Sequence, residues 1–445
     1  NPFTVVAEGD VSIGSILQVL GGKELAFTSA NQDGGNYNLF VGSGDVNEGI
    51  MVGDASQSAS LTVSGVGMLQ VEGSVITYGD FDVADAGYVS VGQVNVNDGE
   101  FNVDAHSVYM GGLVSNSSDG VQVSAGMNID VEGTVQNNVG DMTLTVQGVS
   151  VDRRSQTYGI SIGGSLENKS AGNMTVNVSG PDDYSEYALQ IQGIVSNENA
   201  NATMTINADE LDVRGGDGAY SLVNNGDFYA NITGRTYLKN GFSLAGMGVD
   251  NVFHFQTGAL EFSYNDGVDQ VLQSAFTNHL NDYKLVVTDG DLNLAEYNTG
   301  IVNGTDDNKN ANMLVAAQGI WVNTIQNNGN SLSVQAGTDL VNIPNNAPLD
   351  SAGAGYGNLL VDNFVSGAAG AQTELIASNI LGVVGDVTNQ GNMLINGGSV
   401  LILGPEAMVG SVDTWYEDTV SGLPLGDVVN QGENARLEIL APNDQ

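Results

Sequence analysis

Few residues of this 445-residue chain have the types and spacing that chemistry needs. Asp209, Glu210, Asp212 and Arg214 form the densest candidate group. Glycosidic cleavage uses such a set, with one carboxyl as acid, a second as base or nucleophile, and a cation to orient them. Alternation, however, sets Asp212 and Arg214 opposite Leu211 and Val213. Any solvated strand looks like that, so no catalytic residue is assigned and the chain is not expected to be an enzyme. His106, His254 and His279 stand singly, without the i, i+4 pairing of a helical zinc site. Asp289-Gly290-Asp291 and Asp306-Asp307 offer oxygen ligands, and solvated loops explain them equally well. Gly215-Gly216-Asp217-Gly218 is a weak fragment of a calcium-binding nonapeptide. No cofactor is expected; calcium is the one ion that the total charge would suit. No Gly-rich run precedes a helix with a Lys-Ser/Thr ending, so no phosphate cradle is expected. Cysteine is absent, which removes disulfides and thiol chemistry.

Charge narrows the partners. Lys and Arg total 10 against 52 Asp and Glu, a formal net charge of −42, and no basic cluster exceeds Arg153-Arg154. Nucleic acid and anionic membrane surfaces need a basic footprint, so neither is an expected partner. No apolar run approaches the ~18 residues of a spanning helix, so no membrane insertion is expected. The chain opens at Asn1 without a basic and apolar leader, which predicts a soluble mature chain whose export signal, if any, is gone. Seven Asn-x-Ser/Thr sequons, at Asn116, Asn168, Asn173, Asn177, Asn201, Asn231 and Asn303, are about what this Asn, Ser and Thr content produces by chance.

The elements that position these residues read as short strands. With 61 Gly, 7 Pro and 41% hydrophobic residues, the composition favours many brief strands joined by tight turns. Alternation is strong in Leu61-Thr62-Val63, Leu69-Gln70-Val71, Phe81-Asp82-Val83 and Phe101-Asn102-Val103. A phrase then repeats: G-D-V-T-N-Q-G-N-M-L-I from Gly385 to Ile395, G-D-V-V-N-Q-G-E-N-A-R-L-E-I from Gly426 to Ile439, and looser versions from Gly112, Gly133, Gly164 and Gly193. Repetition at such intervals marks a stacked array, in which each unit buries its apolar face against its neighbours. Asn116, Asn137, Asn168, Asn197, Asn389 and Asn430 fall at one place in the phrase, where Asn suits a corner. Each makes an isolated turn, or stacked copies bond one another along the axis; the residues leave both readings open.

The pattern divides the chain into an N-terminal segment (1–50), repeats (51–265), a helical insertion (266–284), further repeats (285–343), a boundary loop (344–357) and C-terminal repeats (358–445). The first segment is a cap or a strand that pairs with another subunit. The helix rests on Val268, Val271, Leu272, Ala275, Phe276 and Leu280, which share one face over 268–283.

The phrase G-x-V-x-N-x-G-x-M/L-x-L/I resembles those of bacterial surface β-helix proteins, the autotransporter passengers and filamentous-haemagglutinin-like adhesins. The resemblance covers about 51–240 and 285–440 and implies scaffold repeats with no shared active residues. Together with the strand pattern it implies an all-β fold, a mainly parallel β-solenoid; the apolar face over 268–283 adds one short inserted helix, and about 25 residues per coil would make the rod on the order of 80 Å long. The expected function is a structural or adhesive subunit of an extracellular surface layer or filament, exported from a bacterium. Its partners would be further copies of itself, joined through end strands containing Phe3, Val5 and Val6 or Leu437, Ile439 and Leu440. A carbohydrate-binding or polysaccharide-cleaving β-helix, with surface glycans as partners, is the alternative.

Overall fold

Apolar residues alternating with Thr, Ser, Asn and Gln impose a period of two, and the strand Phe101–Ser115 follows it in three runs that restart at Val108 and Leu113. Phe101, Val103, Ala105, Val108, Met110 and Leu113 are buried, while Asn102, Asp104, His106 and Tyr109 turn outward. The computed structural model describes residues 3–30, 37–42, 49–148, 159–179, 188–215, 220–262, 276–306, 308–337, 357–403, 426–431 and 434–441. They are all-β; a single 3-10 turn, Ala295–Tyr297, is the helical element among them. The boundary-loop reading falls on residues 344–356, which lie outside the described residues, as do Arg153-Arg154, Gly216 to Gly218 and Asp307.

The chain divides into two units, Asn1–Asn240 and Gly241–Gln445. In the first, strands pair in three parallel ladders, which the chain visits in turn. Phe3–Ala7 pairs with Glu24–Ser29, Val11–Ile13 with Tyr37–Val41, and Leu17–Val19 with Gly49–Val52. Parallel pairing needs a crossover, and here the other two strands of each rung supply it. Burial fixes the register. One column of the first ladder runs Phe3, Leu25, Leu61, Phe81, Phe101, Val121, Met142, Met174, Met204, Phe228. Phe81 and Phe101 stack within it at 5.1 Å between ring centroids. The second unit repeats the scheme with Phe253, Tyr283, Met313, Leu332, Thr373, Met393 and Leu437.

One column is polar and buried. In the third ladder of the first unit it runs Thr77, Val96, Ser115, Asn137, Asn168, Asn197, Asn224. Asn137 Nδ2 donates to Asn168 Oδ1 at 3.2 Å, Asn168 to Asn197 at 3.1 Å, and Asn197 to Asn224 at 2.9 Å. Each Nδ2 also reaches a backbone carbonyl at its corner, such as Gly140, Gly172 or Gly226. The turn and the axial ladder are therefore one arrangement, and the second hydrogen of each amide is what allows both. In the second unit Asn278 donates to Asn303 at 2.8 Å and Asn303 to Asn327 at 2.9 Å. The column continues through Gly367 to Asn389 and Asn430. Where Gly367 has no side chain, Thr373 Oγ1 accepts from Asn327 Nδ2 at 3.1 Å.

These contacts explain the repeated phrase. Val387 and Asn389 are third-ladder core positions, and Met393 and Ile395 belong to the first ladder. Gly391 lies between them, where a Cβ would strike the Ala371 carbonyl. Gly385 takes φ 130°, and a Cβ there would strike the Asn363 carbonyl.

The expected helix over 268–283 is corrected where the structure describes it; residues 268–275 lie outside the described residues. From Phe276 onward there is a turn, a short strand Thr277–Asn278 and a strand Asp282–Val287. Phe276, Asn278 and Leu280 are all buried, so the spacing that resembles a helical i, i+4 pair is a strand period with a buried Asn in the middle.

Removing a ladder amide strands its neighbours' buried polar groups, each at about 1–3 kcal/mol. Asn303→Ala should lower unfolding free energy by about 3 kcal/mol, whereas Asn116→Ala, at an exposed site, should stay within about 0.5 kcal/mol. Denaturant titration of the two variants, with equal losses, would remove the energetic role of the ladder.

Candidate functional site

Three places on the molecule gather features that a function could use: the open ladder edges, an aromatic and acidic cluster, and an acidic groove. Strand Phe3–Ala7 pairs on one side, with Glu24–Ser29. Phe3 occupies the column that holds the buried Leu61 and Phe81, yet it is 67% exposed; Val6, on the outer face, is 62% exposed. Val5 is half-buried against Phe27. Strand Arg436–Leu440 pairs with Asn392–Leu403. Ile439 continues the Leu375–Ile395 core column and is 42% exposed, with Leu440 exposed beside it and Leu437 half-buried. Among the described residues, both strands present an unpaired backbone edge together with core-type side chains facing water. An edge of that kind is a template for adding a strand.

The second place is the outer face of the second ladder in the first unit, where Ser90, Tyr109, Asp130 and Ser161 stand in register. Tyr109 donates its hydroxyl to Glu132, and that bond, with burial and the charges of Glu132 and Asp130, pushes its pKa up to about 12. Burial, then the neighbouring Glu132, raises the Asp130 carboxyl above the usual carboxylate range. Tyr88 stands exposed nearby. Two aromatic rings beside two carboxylates can stack on an apolar face and accept hydrogen bonds from hydroxyls.

The third is an open groove of about 740 Å³ on the outer face of the first ladder, lined by Asp82, Glu100, Asp104, Asp119 and Asp141 with amide and hydroxyl side chains between. Burial first, then Glu100, raises the Asp82 carboxyl.

The residues considered for chemistry are dispersed. Arg214 Nη2 holds Asp212 Oδ2 at 3.2 Å, Gln190 Nε2 donates to the same oxygen at 3.4 Å, and Asp209 Oδ1 accepts from Thr233 at 3.0 Å. Glu210 opens the strand Glu210–Val213 and pairs with Ala188. His254 Nε2 lies 2.8 Å from Asp282, and His279 Nε2 lies 2.9 Å from the Met247 carbonyl. His106 projects outward from its own strand. Among the described residues, no three His, Asp or Glu come together to hold a metal ion.

Of the corner asparagines, Asn137, Asn168, Asn197 and Asn389 are buried ladder members, and Asn430 ends the column, exposed. Asn116 is not in the column. Leu113 pairs with Val135, so Ser115 faces Asn137 and Asn116 lies one step beyond, exposed, accepting from Asn138 at 2.9 Å. Sequence reading missed Asn224, Asn278, Asn303 and Asn327. Three of these follow Leu222-Val223, Ile301-Val302 and Ile325-Gln326, so an apolar-x-Asn triplet is their signal, and none has the Gly that stands four residues before the Asn in the repeated phrase.

No family model matches the sequence, and no curated protein matches it. A solved structure, the Tapirin C-terminal domain of Caldicellulosiruptor kristjanssonii, is similar over 100% of this chain and 90% of that chain, at 10% identity and a TM-score of 0.16. A likeness at that score supports no argument about fold or function.

The raised carboxyls set a pH dependence. A carboxyl whose pKa rises on folding adds stability below its unfolded value of about 3.9, and that stability is lost as pH climbs through the folded value. Asp82→Asn and Asp130→Asn should therefore raise the thermal midpoint at pH 7 and have little effect at pH 3. Thermal unfolding at the two pH values checks this; an equal shift at both would remove titration as the cause.

Proposed function

We propose that the chain is a mainly parallel β-solenoid that serves as a structural or adhesive subunit of an extracellular surface layer or filament, exported from a bacterium. Support for the solenoid comes from the three ladders visited in turn, in register, within each unit. Support for assembly comes from one observation above the rest: Phe3 and Ile439 hold core positions of their ladders yet stand exposed. A second copy of the chain is the occupant whose strands match such an edge, because each strand of this chain already pairs in parallel with its own equivalent. The net charge of −42 opposes close packing until salt or divalent ions screen it, to about 8 Å at physiological ionic strength. It also disfavours nucleic acid as a partner.

Self-association should therefore rise with protein concentration and with ionic strength. Phe3→Lys and Ile439→Lys should each weaken it tenfold or more, since burying one such side chain stabilises by about 1.5–3 kcal/mol and about 1.4 kcal/mol is a factor of ten. Sedimentation velocity and negative-stain microscopy read this out. A monodisperse monomer at every concentration and salt level would sink the proposal.

A second reading, a carbohydrate-binding surface, is favoured by Tyr88 and Tyr109 beside Asp130 and Glu132. Neutral oligosaccharides should release heat on binding in calorimetry, and Tyr88→Ala with Tyr109→Ala should abolish it. Unaltered binding by the double variant would move the ligand elsewhere.

A further inference from the structure

Two of the seven sequons lie on the buried amide ladder, Asn168-Lys169-Ser170 and Asn303-Gly304-Thr305. Both asparagines have 0% exposure. Asn168 Nδ2 donates to Gly172 O at 3.2 Å and to Asn197 Oδ1 at 3.1 Å, while its Oδ1 accepts from Asn137. Asn303 Nδ2 reaches Ala311 O at 3.0 Å, Asn327 Oδ1 at 2.9 Å and Ser331 O at 2.8 Å, and its Oδ1 accepts from Asn278. The amide nitrogen that N-glycosylation modifies is the ladder's donor.

In that reaction a lipid-linked pyrophosphoryl oligosaccharide transfers its sugar C1 to Asn Nδ2. The C1–oxygen bond breaks, the lipid pyrophosphate leaves, and one amide proton is lost to solvent. The product keeps one N–H where the ladder uses two, and it carries a bulky hydrated group. Neither change is compatible with these positions. One donor is removed from a buried column in which the neighbouring oxygens depend on it, and the sugar would have to occupy space filled by the adjacent rungs. The modification precedes folding when it is made during translocation, so the folded ladder offers no protection. Other sequons differ: Asn116, Asn173, Asn201 and Asn231 are exposed and would project a glycan into solvent.

We infer that Asn168 and Asn303 are sequons whose modification forbids the fold, so that this chain acquires its structure where Asn-x-Ser/Thr segments are not glycosylated during synthesis. The inference rests on the ladder geometry and not on the assembly reading. It excludes co-translational passage through a eukaryotic endoplasmic reticulum with efficient glycosyl transfer, and it is compatible with a bacterial export route or with cytosolic synthesis.

The test is secretion of the full chain from a eukaryotic host, with and without an inhibitor of lipid-linked oligosaccharide synthesis. Protease-resistant and aggregated fractions are separated, and occupancy of each sequon is read by mass spectrometry. Glycans on Asn168 and Asn303 are expected only in the aggregated fraction, glycans on Asn116, Asn173, Asn201 and Asn231 in both, and the inhibitor should restore the folded yield. Folded protein with Asn168 or Asn303 occupied as fully as Asn116 would overturn the incompatibility. Folded protein leaving that host with both sites bare in every fraction would overturn the inference about compartment.

Discussion

In-register parallel pairing is the constraint on which this structure depends. It places each side chain against the equivalent residue of the next rung, so whatever one rung tolerates the following rung must tolerate as well. For apolar residues the repetition is favourable, because Leu on Phe on Phe fills the interior without a change of register. For a buried amide it becomes favourable only in series, since each Asn supplies the donor that its neighbour's oxygen needs. A single such Asn in an apolar column would leave polar atoms unmatched, as Asn137 Oδ1 shows at the head of the run, where Ser115 and Val96 replace asparagine.

The same constraint governs charge. A repeat copied faithfully would set carboxylate over carboxylate at the strand spacing of about 4.8 Å, and like charges directly opposite are destabilising. Among the described residues of the first unit, no Asp or Glu within a strand is registered opposite another. Asp82 sits between Thr62 and Asn102, Asp130 between Tyr109 and Ser161, Asp212 between Gln190 and Tyr237. In the first unit the repeats have diverged on the outer face while staying alike within, which keeps strand carboxylates from standing directly opposite one another.

How much of this was legible in the sequence follows from which face carries the signal. Inner positions alternate within each strand, so the strands at Leu61, Leu69, Phe81 and Phe101 could be read directly, as could the corner Asn of three successive repeats. Two failures share a cause. Asn278 is a polar residue at a core position, and it hides the alternation that would mark Phe276 and Leu280 as strand-period positions, so the two match a helical pair as well. At Gly112 the phrase aligned glycines and asparagines, whereas the fold aligns Leu113 with Val135, because burial of the apolar residue outweighs the corner chemistry. The exposure of Phe3 and the sharing of Glu132 with Tyr109 depend on which rungs are neighbours, and a linear pattern holds no such information.

The amide column has one more property. From Asn137 to Asn224, and again from Asn278 to Asn327, each bond of the ladder runs from an Nδ2 on the earlier rung to an Oδ1 on the later one. Aligned amides add their dipoles, so each column is an electrically polarised wire of side chains with an acceptor at its head and a donor at its tail. Such a column has a direction, and turning it over does not reproduce it. Its two ends are chemically distinct within the interior: Asn137 Oδ1 meets the Ser115 rung without a partner, while Asn327 Nδ2 turns to Thr373 Oγ1.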